Sequence, residues 1–266
     1  MALRLLCLLR SAAAFLSICC LWTAASAGTV RVAVTGDQRA VIAEVVEAYK
    51  RANPGDSVEI RSDAAGKLYA SLKAGTPADL FVALDAHYPD RLIKNALAVE
   101  PVVHFASNPL VLWTANRQIK LQGLGSLADD KVRFISFANP EFTISGRRAE
   151  EALKKGGVWD AVQGKILLAT SVDQAGLFAR IGNADVALIP ASTAYALSLK
   201  QRSQSFEIPR ELQGELDTCL VLTTQGYANP SARSFAEFLQ GPKAREILKA
   251  HGLGEPARTT AVVPAR

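Results

Sequence analysis

The chain has 266 residues, a net charge of +5, 49% hydrophobic residues and four cysteines. That length suits one large domain or two lobes of ordinary size, and the charge is too mild to indicate a nucleic-acid or membrane-surface partner. A disulfide framework is excluded: Cys7, Cys19 and Cys20 fall in an N-terminal apolar run, and Cys219 stands alone among apolar neighbours as a small buried hydrophobe.

Residues 1–27 place Arg4 and Arg10 beside or within that apolar run, which ends at Ala25-Ser26-Ala27. This layout is that of a secretory signal peptide cleaved after Ala27, so the expected destination is the periplasm. An uncleaved anchor is the competing reading, because the run approaches membrane-spanning length. The next segments alternate. Residues 30–34 read as a strand closed by Thr35-Gly36-Asp37, and residues 38–51 as a helix with Val41, Ile42, Val45, Val46 and Tyr49 on one face. Asp37 is placed to cap that helix. A strand over 58–61 leads to the small-residue turn Asp63-Ala64-Ala65-Gly66, a helix with Leu68, Tyr69 and Leu72 inward, and a buried strand over 79–84. A short helix over 89–95 and a strand over 110–114 follow.

A second set of units starts there. It comprises a short helix over 125–130, a strand over 132–137, the turn Thr143-Ile144-Ser145-Gly146 and a helix over 147–155, with Glu150/Lys154 and Glu151/Lys155 at ion-pair spacing. A strand over 166–169 meets Ser171 as the cap of a helix over 172–181, followed by a strand over 185–189 and a helix over 191–197. A return strand over 220–224 and helices over 231–239 and 244–251 complete the pattern, with residues 255–266 as a loose tail. Trp113, Trp159, Phe81 and Phe134 sit in apolar runs and read as core.

Alternating strands and helices argue an α/β fold with mainly parallel pairing. Strand-to-helix turns recur at 35–37, 63–66, 143–146 and 171–173. A helix beginning leaves backbone N–H groups unpaired at the positive end of its dipole, so such turns suit an anion. If two lie in each lobe, a small ligand between the lobes meets four helix beginnings.

Enzyme chemistry has weak support. His87, His104 and His251 are scattered, and there is no G-x-S-x-G, P-loop or G-x-G-x-x-G. Asp37, Asp85 and Asp173 could converge as metal ligands or hydrolytic acids, but read more simply as caps and surface groups. No cofactor motif is present. A docking or sensor protein on the same fold is a third class, with no positive sequence support.

Six stretches in order resemble the periplasmic molybdate-binding proteins of ABC importers. They are residues 30–37, GKLYASLKAGTPADLFVALDA at 66–86, PLVLW at 109–113, NPEFTISGRRAEEAL at 139–153, TSVDQAGLFARIGNADVALIP at 170–190 and LQGPKAREILKAHG at 239–252. The resemblance implies a two-lobed type II periplasmic binding protein. Residues 28–108, completed by 224–254, would form one lobe and 109–223 the other. It implies a monomer that binds a tetrahedral oxyanion such as molybdate or tungstate and hands it to a membrane permease, with no covalent step. Carried over by position, the ligand site is Gly36, Asp37, Ala64, Ala65, Ser145 and Val172. The family offers Ser, Thr or Asn in the first turn and paired serines in the second, where this chain has Gly36-Asp37 and Ala64-Ala65. Asp37 then caps its own helix, donates to the ligand as a protonated acid, or marks a site changed toward a cation, an amine or a neutral solute. Lys67 and Arg147 could compensate its charge.

Overall fold

The computed structural model describes residues 28–257, so the signal-peptide reading and most of the tail lie outside the described residues. The chain runs through β1 (Thr29–Thr35), a 3-10 turn (Gly36–Gln38), α1 (Arg39–Ala52), β2 (Ser57–Asp63), α2 (Ala65–Lys73), β3 (Leu80–Ala83), α3 (His87–Lys94) and β4 (Ala98–Ser107). It continues through β5 (Leu110–Thr114), β6 (Ile135–Ala138), α4 (Ile144–Lys155), α5 (Trp159–Val162), β7 (Ile166–Ala169), α6 (Val172–Ile181), β8 (Val186–Pro190) and α7 (Ala191–Ser198). Last come β9 (Gln204–Glu207), α8 (Arg210–Gln213), β10 (Asp217–Thr223), α9 (Thr224–Ala228), α10 (Pro230–Gln240) and α11 (Pro242–Ala250).

Two five-stranded sheets result, in the orders β2-β1-β3-β10-β4 and β7-β6-β8-β5-β9. They share one plan. In each, three parallel strands joined by helices meet a fourth strand running antiparallel, which pairs on its far side with a fifth. Helices on both faces leave β5 and β10 wholly buried, which is why LVLW and CLVL within them read as unbroken apolar runs. The face of α1 read from its spacing is buried: Val41, Ile42, Val45, Val46 and Tyr49 pack with Val30, Val32 and Val34 of β1 and with Phe235 of α10.

A buried carboxylate registers each sheet. Asp79, just before β3, accepts Arg31 N–H at 2.7 Å, while its own N–H donates to Arg31 O. Asp185, just before β8, accepts Arg133 and Phe134 N–H at 2.9 and 3.1 Å and donates its N–H to Phe134 O. These bonds repay the cost of burying each charge.

Several expectations change. The strand expected over 132–137 begins at Ile135, because the preceding amides turn to Asp185, and Phe134 is 49% exposed rather than core. The helix expected from 147 begins at Ile144, so residues 144–146 are its first turn. The helix expected over 125–130 is a 3-10 turn over Leu124–Ala128. Glu151 pairs with Arg148 at 2.9 Å, not with Lys155, whereas Glu150 pairs with Lys154 as spaced. Strands β4 and β9 were not anticipated. Residues 217–223, assigned by the resemblance to the second lobe, are hydrogen-bonded into the first sheet as β10. The tail is tied where it begins: Ala257 N–H donates to both Asp217 oxygens at 3.2 and 3.0 Å.

Candidate functional site

The parallel strands of both sheets end at one gap. Thr35, Gly36, Asp37, Asp63, Ala64 and Ala65 from the first sheet, with Thr143, Ser145, Ser171 and Val172 from the second, line a single cavity of about 390 Å³. All six residues expected at the ligand therefore border one space. Leu84, just after β3, packs into the apolar core of the second sheet and lines the same cavity.

The helix beginnings differ in what they leave free. In α4, Thr143 accepts Gly146 N–H at 3.1 Å and Arg147 N–H goes to Thr143 O. The amides of Ile144 and Ser145 remain, and the Ser145 hydroxyl makes no hydrogen bond among the described residues although Ser145 is only 3% exposed. In α6, Ser171 accepts Gln174 N–H at 3.1 Å, leaving the amides of Val172 and Asp173. In α2, no side chain caps the helix, so Ala65, Gly66 and Lys67 keep their amides. Ala64 differs from its neighbour: its N–H donates to the Asp63 carboxylate at 2.7 Å and is already used.

The first turn corrects the reading of Asp37. Helix α1 is entered through the 3-10 turn with Gln38 at its cap position, and neither Thr35 nor Gln38 makes a capping side-chain bond. Asp37 lies inside that turn, on the cavity wall, and does not cap its own helix. Burial pushes its pKa up; nearby Thr35 and Gln38 side chains and its own amide oppose this, and Asp173 adds to it. Burial likewise raises Asp85 and Asp173. The buried Thr35 hydroxyl makes no full hydrogen bond and leans on the Asp37 carboxyl, whose pKa it lowers. A buried hydroxyl without a full partner costs about 1–3 kcal/mol, so Thr35 would gain from a better acceptor in the cavity. The sequence marks Thr35 and Ser145 as the hydroxyls left beside the substituted turns, whereas burial itself has no sequence signal.

The cations first read as compensating are engaged elsewhere. Lys67 Nζ lies 3.7 Å from Asp63 and is largely solvated, and Arg147 Nη1 donates to Pro140 O at 3.1 Å. Among the described residues, no three of His, Cys, Asp and Glu come together as metal ligands. Cys219, His104 and Asp217 do cluster, but Cys219 Sγ and Asp217 Oδ2 both approach the same nitrogen, His104 Nδ1, at 3.4 and 3.2 Å. The fully buried Cys219 thiol also donates to Asp217 O at 3.2 Å.

The family model for bacterial extracellular solute-binding proteins matches residues 30–254. The chain belongs to the bacterial extracellular solute-binding protein family. A molybdate-binding protein ModA from Azotobacter vinelandii is 28% identical over 232 residues, covering 87% of this chain and 92% of the relative. Another from Rhodobacter capsulatus is 27% identical, covering 74% and 77%. The solved Azotobacter vinelandii periplasmic molybdate-binding protein superposes with a TM-score of 0.76 at 26% identity, covering 85% of this solute-binding protein and 99% of that chain. The sulfate-binding protein SubI from Mycobacterium tuberculosis H37Rv, at 16% identity and a TM-score of 0.72, shares the fold, covering 86% and 87%. As a solute-binding protein of the ABC-importer type, the molecule captures a small solute for a membrane permease. No helix among its described residues is long and apolar enough to cross a membrane.

Proposed function

We propose that this protein captures a tetrahedral oxyanion, molybdate or tungstate foremost, in the periplasm and delivers it as a monomer to an inner-membrane ABC permease. The signal peptide at 1–27 belongs to this reading, as does a division into two lobes, 28–108 completed by 217–254 and 109–216, with β10 moved to the first. The single observation that carries it is the convergence of four strand-to-helix turns, two from each sheet, on one cavity. The names of the relatives at 28% and 27% identity point to the same solute. In this arrangement Gly36, Ala65, Ser145 and Val172 offer backbone N–H groups, Thr35 and Ser145 offer hydroxyls, and Ala64 contributes shape alone. Binding is capture by lobe closure, with no bond made or broken.

A second reading keeps the fold and changes the solute. It is favoured by the carboxylates of Asp37, Asp85 and Asp173 on the cavity wall, which would suit a cation or an amine. Thermal unfolding with molybdate, tungstate, sulfate, phosphate, divalent cations and small amines separates the two. A ligand present at 100 times its Kd stabilises by about 2.7 kcal/mol, a midpoint shift of several degrees. A shift with molybdate or tungstate and none with cations or amines is expected; the reverse pattern overturns the oxyanion.

A further inference from the structure

The charges around the cavity are unbalanced. Four carboxylates, Asp37, Asp63, Asp85 and Asp173, share the wall with two cations, Lys67 and Arg147. Asp63 is matched by Lys67, and Arg147 is turned toward the Pro140 carbonyl. Among the described residues, Asp37, Asp85 and Asp173 make no ion pair within 4.0 Å, but His87, Arg147 and Arg148 act on Asp85, which leaves Asp37 and Asp173 as the carboxylates without a nearby cation. Asp37 lines the cavity from the first sheet and Asp173 from the first turn of α6 on the second, and the two are near enough for Asp173 to raise the Asp37 pKa. Helix α7, which packs on the turn holding Asp37, brings Tyr195 and no charged residue, and Arg39 at the head of α1 is exposed and unpaired with Asp37. A dianion inserted between unneutralised carboxylates would be repelled by each of them.

One change at the wall resolves this. A protonated carboxyl carries no charge and presents an O–H donor, the group missing from Gly36, Ala64 and Ala65. Asp37 is the carboxyl suited to it: it lines the cavity beside the Thr35 hydroxyl and within electrostatic reach of a second carboxylate, Asp173, with no cation in ion-pair contact. Building on the oxyanion reading, we propose that the solute is captured together with one proton, which Asp37 takes from solvent and donates as a hydrogen bond to a ligand oxygen. Burial, which already lifts the Asp37 pKa, lowers the cost of that uptake.

The linkage has a fixed sign and slope. Where free Asp37 is ionised, taking up one proton per ligand weakens binding by up to about tenfold for each pH unit of increase. Titration calorimetry with tungstate, from about pH 5.5 to pH 8 in buffers of different ionisation heat, reads both the slope and the proton count. The expected result is a Kd that rises toward tenfold per unit with one proton absorbed per tungstate. Asp37→Asn, which keeps an N–H donor and no charge, should bind with a flat pH profile and absorb none; Asp37→Ser serves if that variant fails to fold. Asp173→Asn should keep the slope but start it at lower pH. A flat wild-type profile, or the wild-type slope in Asp37→Asn, overturns the proton while leaving oxyanion capture intact. No binding of tungstate, molybdate or sulfate by the wild type or Asp37→Asn at any of these pH values overturns both.

Discussion

At the scale of single residues, the site differs most from its sequence pattern in which atoms remain free. Ala64 and Ala65 are neighbours of the same type, yet Asp63 consumes the first amide and leaves the second. Thr35 is the counterpart, a hydroxyl that folding buries without a full hydrogen bond. Thr35→Val keeps the shape and removes the donor. A hydrogen bond to a charged ligand is worth about 1.5–3 kcal/mol, so its oxyanion Kd should rise roughly 10- to 100-fold in titration calorimetry. Ala65→Ser should tighten binding in the same measurement, since it adds a hydroxyl beside a free amide. Unchanged affinity in both variants would remove this wall from the site. The four turns are legible because strand-to-helix turns have sequence signatures, while the choice of six residues within them rests on the family resemblance. Which donors are spent is not legible, because Asp63 and Asp37 look alike in sequence and differ only in where their carboxylates turn.

At the scale of elements, α4 shows what local spacing can and cannot reveal. Its pairing of Glu150 with Lys154 follows from helical periodicity. Its start does not, because Ile144-Ser145-Gly146 reads as a turn until Thr143 is seen to cap it. Gly146 is there for packing: a Cβ would overlap the Ala138 carbonyl oxygen of β6. Gly146→Ala should therefore destabilise the protein by about 1–3 kcal/mol in urea unfolding, despite the better helix propensity of alanine. A neutral or stabilising effect would mean that α4 and β6 do not approach this closely. Strands β4 and β9 escaped notice for a different reason. Both are edge strands, each the last of its sheet, and neither shows the clean alternation or unbroken apolar run that marks a strand.

At the scale of the molecule, the two sheets repeat one plan with different threading. Every strand of the second comes from residues 110–207, whereas the first must recover β10 from beyond them. β10 lies between β3 and β4, and β4 pairs with no other strand of its sheet. A fragment of residues 28–108 should consequently lack a cooperative urea transition by circular dichroism, and one of residues 109–214 should retain it. Cooperative unfolding of the shorter, earlier fragment would contradict this. The two crossings are bound side by side: Asn108 N–H donates to Leu216 O at 2.8 Å, and its side chain exchanges bonds with Ser192. Nesting one half inside the other sets an order of events during synthesis. The portion begun first is finished last, and until β10 arrives the interior of that portion stays open, with a vacant slot between two waiting strands.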